Sequence, residues 1–99
     1  MKDVIDALSK KGLIFKSFEE IELNTRKKIR AFVGVNLKSE YVFVLVFYKK
    51  SRVLLKDIKE AEIFIPPINF RYKKKILLLN SPICSKAKEE LDEWRIFWF

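Results

Sequence analysis

Ninety-nine residues set the size of one domain, 1–99, with a single hydrophobic core. Twenty-one Lys and Arg against 13 Asp and Glu leave a formal charge of +8, and 49% apolar residues are too many for a disordered basic tail. One cysteine, Cys84, and no histidine exclude an internal disulfide, ordinary zinc sites, histidine acid–base chemistry and the Ser-His-Asp and Cys-His triads. Gly12 and Gly34 are the only glycines, so no glycine-rich phosphate loop is possible. The start, Met1-Lys2-Asp3-Val4, has no apolar targeting segment, and the longest apolar run, Tyr41–Tyr48, is too short to span a bilayer. A cytoplasmic protein with no membrane partner is expected, and the richness in Lys and Ile without Gln suits a thermophile.

Residues 3–11 predict a short helix, with Asp3 as N-cap, Val4, Ile5 and Leu8 on one face and Gly12 at C′. From Leu13 to Leu23 the period becomes two: Phe18, Glu20 and Glu22 fall on one side, Ile21 and Leu23 on the other. Asn24-Thr25 predicts a turn, Lys28–Leu37 a second strand, Lys38-Ser39-Glu40 another turn, and Tyr41–Tyr48 a strand apolar on both faces in the middle of a covered sheet. Leu54, Leu55, Ile58, Ala61 and Ile65 recur at helical spacing, so 54–64 predicts an amphipathic helix ended by Pro66-Pro67. Lys75–Leu79 predicts a strand. A last helix follows with Ser81 or Ser85 as cap, Pro82 in its first turn and Ala87, Leu91 and Trp94 buried. Arg95–Phe99 predicts a final strand. The result is an α/β fold (α+β with a mixed sheet) in the order α-β-β-β-α-β-α-β, helices covering both faces.

Three stretches carry a family resemblance. Glu20-Ile21-Glu22-Leu23-Asn24-Thr25-Arg26-Lys27-Lys28-Ile29 reads as a first hairpin, Val42 to Lys50 running into the 54–64 helix as a central strand, and Ile76 to Trp98 as a closing strand–helix–strand. Together they resemble the core of the restriction-endonuclease-like, or PD-(D/E)xK, nuclease fold, nearest to the small archaeal Holliday-junction-resolvase type. The resemblance implies an Asp on the second strand and a Glu on the third that hold a divalent metal, with a Lys two residues on. At the E-x-K position this chain has Val46-Phe47-Tyr48, and the second strand offers Arg30, Ala31, Phe32 and Val33. No catalytic residue, metal or cofactor can be carried over. The literal Asp57-Ile58-Lys59 lies on a helix, where residues two apart do not face each other, and reads as a solvated face.

The basic turns are the remaining candidates for function. Arg26, Lys27, Lys28 and Arg30 open the second strand; Lys49, Lys50 and Arg52 leave the third; Arg71, Lys73, Lys74 and Lys75, with Tyr72, precede the fourth. Basic clusters interleaved with aromatics can hold phosphates and stack unpaired bases, which points to nucleic acid, DNA before RNA. The same lysines can instead solubilise the surface and blunt sheet edges. At the end of the chain, Trp94, Phe97, Trp98 and Phe99 read as an edge packed on the core, a homodimer interface, or a loose likeness to a sliding-clamp-binding motif. Cys84 reads as a buried small hydrophobe, and Glu19, Glu20 and Glu22 as solvated, although a metal pair among them is conceivable. The reading is a non-catalytic nucleic-acid-binding protein on a degenerate nuclease fold. Its alternatives are an interaction subunit docking through the aromatic end, and a divergent metal-dependent nuclease using Glu20 or Glu22.

Overall fold

The structure, a computed structural model, describes residues 2–22, 28–64 and 74–99, with the backbone alone at 63 and 64. Its order is α1 (Lys2–Ser9), β1 (Phe15–Ile21), β2 (Ile29–Asn36), β3 (Tyr41–Phe47), α2 (Leu55–Phe64), β4 (Lys74–Leu79), α3 (Ser85–Glu90) and β5 (Arg95–Trp98). Every element expected from the sequence is present; most ends move by one or two residues, but the last helix stops at Glu90, so Leu91 caps it and Trp94, half-buried, follows it in a turn instead of extending its stripe. The expected turn at Asn24-Thr25 and the Pro66-Pro67 stop lie outside the described residues.

The five strands form one mixed sheet ordered β1-β2-β3-β4-β5. The first three pair antiparallel as a meander; β3, β4 and β5 run parallel. Parallel neighbours need crossovers, and α2 and α3 supply them. On β3, Val42, Val44 and Val46 pack under α1, while Phe43, Leu45 and Phe47 pack under α2 and α3. That two-sided burial is why β3 reads as an unbroken apolar run. Each such side chain contributes roughly 1.5–3 kcal/mol over leaving it in water.

Helix α1 buries Val4, Ala7 and Leu8 but leaves Ile5 more than a third exposed, so Ala7 stands where the sequence pattern placed Ile5. Its end is a Schellman motif. Gly12 has φ +80°, its amide bonds Ser9 O at 3.0 Å, and the Leu13 amide bonds Leu8 O at 3.0 Å. Gly34 matters for a different reason. A Cβ there would lie 2.6 Å from Phe15 Cδ1 and 3.0 Å from Phe18 Cδ1, two rings that cross β2 at this point. In the β2–β3 turn, Ser39 takes φ 64°, and the Asn36 side chain accepts the amides of Lys38 (3.0 Å) and Glu40 (2.9 Å).

The two crossovers are tied together before their helices begin. The Val53 amide donates to Pro82 O (2.8 Å) and the Cys84 amide to Val53 O (2.9 Å). This bridge corrects the reading of the last helix. Pro82 lies ahead of α3, and neither serine caps it. Cys84 is the N-cap, its Sγ accepting the Ala87 amide at 3.4 Å. Cys84 is accordingly half-buried rather than sealed in the core, and that amide bond holds its thiol below the usual range. Leu54 is likewise exposed at the start of α2 rather than part of its buried stripe.

Candidate functional site

The end of the sheet where β2 begins and β3 finishes gathers most of the charge-bearing chemistry. The Tyr48 amide bonds Lys28 O at 2.9 Å, so Lys28 and Tyr48 stand side by side there, next to Ile29 paired with Phe47 and Arg30 with Val46. Side chains then divide between the two faces of the sheet.

On the α1 face, Arg30 and Glu20 meet diagonally across the β1–β2 ladder, where same-face residues of neighbouring strands come within reach. The guanidinium grips the carboxylate with two nitrogens, Nε at 3.0 Å and Nη2 closer still. Arg30 also lies over the Phe32 ring, 5.1 Å from its centroid, and Nη1 reaches the Tyr48 hydroxyl at 3.5 Å. That hydroxyl donates to Asp3 on α1 at 3.2 Å. The bond from Arg30 holds the Glu20 carboxyl below its ordinary range, and burial pushes the Tyr48 phenol up. Glu20 is exposed, as are Glu19 and Glu22, but it is an ion-pair partner of Arg30 rather than a free carboxylate. A divalent cation seeks several carboxylate oxygens facing one another. Here the Glu20 oxygens are taken by Arg30, the Asp3 carboxylate accepts the Tyr48 hydroxyl, and the neighbouring β3 residues on this face are Val46 and Tyr48. Among the described residues, no three His, Cys, Asp or Glu form a group that could hold one.

On the α2 face, Lys28, Lys49 and Lys50 line a cavity of about 460 Å³ with Ile29 and Phe47 at its apolar wall and Ser51, Asp57 and Glu60 opposite. Asp57 organises this wall. Its Oδ2 accepts both the Leu54 amide (2.7 Å), capping α2, and Lys49 Nζ (2.7 Å). Burial opposes its ionisation, but those two bonds outweigh it and keep the carboxyl below its usual value. Asp57 is thus a structural cap rather than part of a solvated face, and Lys59 turns away to Glu90 at 2.8 Å.

The sequence-derived cations are divided. Lys28, Lys49 and Lys50 share the cavity, Arg30 lies on the opposite face at the same end, and Arg52 is exposed on the loop beyond. Lys74 and Lys75 pair with Val42 and Phe43 at the other end of β3, about 20 Å away at roughly 3.3 Å per residue. Lys74 lies 3.8 Å from Glu40. Arg26, Lys27, Arg71 and Lys73 lie outside the described residues. The aromatic end also divides. Trp94 packs edge-on against Phe43 at 5.9 Å, and Phe97 is half-buried under Arg95. Trp98 donates from Nε1 to Ser81 O at 2.9 Å yet stays 41% exposed, and Phe99, 47% exposed, leans on the Tyr48 ring.

Element order, sheet topology and the placement of the helices are those of a restriction-endonuclease-like α/β fold. The chain is similar to the solved structure of EndoMS in apo form, with a TM-score of 0.59 over 99% of this chain at 17% identity. It spans 44% of the length of that protein. No protein-family model and no curated protein matches the sequence. Among the described residues, no helix is long and apolar enough to cross a membrane.

Proposed function

We propose that the protein binds nucleic acid without cutting it, using the Lys28–Lys49–Lys50 end of a nuclease-like sheet to hold phosphates. The observation that carries this reading is the cavity itself. Three lysines from two strand ends line one opening; Asp57 holds Lys49, while Lys28 and Lys50 are exposed, and lysines that neutralise phosphates release the counterions condensed on the nucleic acid. The net charge of +8 gives the same ligand a long-range attraction. The reading that the fold no longer cuts rests on Arg30, which neutralises Glu20, and on Val46 and Tyr48 at the positions the resemblance gives to Glu and Lys.

Labelled single-stranded, duplex and junction DNA, and RNA of matched length, test this by titration at several salt concentrations. With about four phosphate contacts, affinity falls roughly 100-fold between 50 and 200 mM salt. A flat salt response removes the reading. Incubation with Mg²⁺ and Mn²⁺ tests the second half: reproducible cleavage that is lost in Glu20→Ala overturns the non-catalytic assignment in favour of a divergent nuclease.

A second reading is favoured by one feature, the half-exposed Trp98 and Phe99 on and beside edge strand β5. An edge strand offers unpaired backbone groups to another chain, and a second copy is the expected occupant. Light scattering decides between one chain and two: a dimer mass that drops after Trp98→Ala supports this interface, and a monomer mass at every concentration removes it.

A further inference from the structure

The opposite end of the sheet carries a surface that the nucleic-acid reading does not use. Where β1 and β4 begin and β2 ends, two clefts lie side by side, of about 180 and 320 Å³. They share Leu13, Ile14 and Phe15 as a common wall. Leu37 closes the first and Ile5 the second. Ile14 is 54% exposed and Leu37 62%, large aliphatic side chains that a surface with no partner does not ordinarily group together. Lysines stand around them: Lys38 and Lys74 at the first cleft and Lys16 at the second, with Lys10 and Lys11 exposed at the end of α1. Lys16 Nζ rests on the Ser39 hydroxyl at 2.7 Å, and Glu40 beside Lys74 is the acidic exception.

We infer that this paired cleft docks an acidic peptide segment that places one large apolar side chain in each cleft and its carboxylates against the surrounding lysines. Charge complementarity selects the occupant. A second copy of the chain brings another +8, and the chain's own segment 65–73 carries Arg71 and Lys73 with no acidic residue, so neither matches the rim. Nucleic acid satisfies the lysines but leaves Ile14 and Leu37 facing a charged backbone. An acidic peptide satisfies both at once: the apolar anchors exclude water from the clefts while the rim charges orient the chain and speed its arrival.

Fluorescence anisotropy with a set of labelled Asp/Glu-rich peptides tests this, each carrying two Leu or Phe separated by one, two or three residues. At least one spacing gives saturable binding, weakened about tenfold or more when both anchors become Ala. The same loss follows in the Ile14→Ser/Leu37→Ser double variant, whose changes lie on exposed positions, and a smaller loss in Lys38→Glu. The Lys49→Ala/Lys50→Ala variant, altered only at the far end of the sheet, binds the peptide as the parent does. The inference is overturned if no spacing saturates below about 1 mM. It is equally overturned if polyglutamate or the Ala-anchored peptide binds as tightly, or if duplex DNA displaces the peptide and loses about tenfold or more in affinity in Lys38→Glu, beyond the few-fold that a change in long-range charge removes.

Discussion

The two ends of β3 hold the same residue type in different company. At the Lys49 end, lysines stand beside carboxylates that serve the fold: Asp57 caps α2 and holds Lys49, and on the other face Glu20 holds Arg30. At the Lys74 end, Lys16, Lys38 and Lys74 border exposed aliphatic side chains, and the nearest carboxylate, Glu40, lies 3.8 Å from Lys74. The first end is an electrostatic construction with a small apolar wall; the second is an apolar surface with a charged rim. Charge counting along the sequence treats both alike. What separates them is which neighbours the sheet register delivers.

Breaking the apolar end has the largest expected effect on folding. Gly34→Ala drives a methyl into Phe15 and Phe18, a close approach of 2.6 Å that forces the rings off β2, and is expected to cost about 1–3 kcal/mol in urea unfolding. An unchanged midpoint means the rings swing aside freely. At the other end, Asp57→Ala removes the α2 cap and frees Lys49 together, with an expected loss of about 1–2 kcal/mol. Asp57→Asn, which retains an acceptor for the Leu54 amide, should recover part of it. If both variants are silent, the cap does not organise this end.

The Arg30–Glu20 pair sharpens the comparison through pH. Glu20 is depressed in the folded state, so its contribution is present above the unfolded carboxyl pKa near 4.3 and is lost as pH falls through the lower folded value. Glu20→Gln is therefore less stable than the parent at neutral pH, and the gap closes in acid; a gap of constant size contradicts the pairing. The smallest effect belongs to the far turn, where Ser39→Gly relieves a left-handed backbone at φ 64° and stabilises by about 0.5 kcal/mol in thermal unfolding.

Local signals made the elements legible. The β3 run, the short first helix, Gly12 at C′ and the closing aromatic strand all correspond to observed structure, because each is fixed by residues adjacent in the chain. Partnerships across elements were not legible. Glu20 reads as solvated until register places it diagonal to Arg30, ten residues away. Asp57 reads as a surface residue, although Leu54 followed three positions later by a carboxylate is half of a capping box, a signal that could have been used. Cys84 won the cap from two serines because the Val53–Ile83 bridge fixes where α3 begins, and that bridge joins residues 30 apart. The division of the basic residues between two ends was hidden for the same reason. Chain order shows that lysines flank strands; only the parallel β3–β4 pairing shows that Lys74 and Lys49 face apart.

The most direct test of the account compares two triple variants with equal loss of charge, Lys28→Ala/Lys49→Ala/Lys50→Ala and Lys16→Ala/Lys38→Ala/Lys74→Ala, in duplex and single-stranded DNA binding at low salt. The account predicts that the first loses about 100-fold or more in affinity, with a shallower dependence on log[salt], while the second loses no more than the few-fold that three fewer long-range charges remove. Equal losses in the two variants, or a larger loss in the second, would contradict the assignment of nucleic acid to the Lys49 end of the sheet.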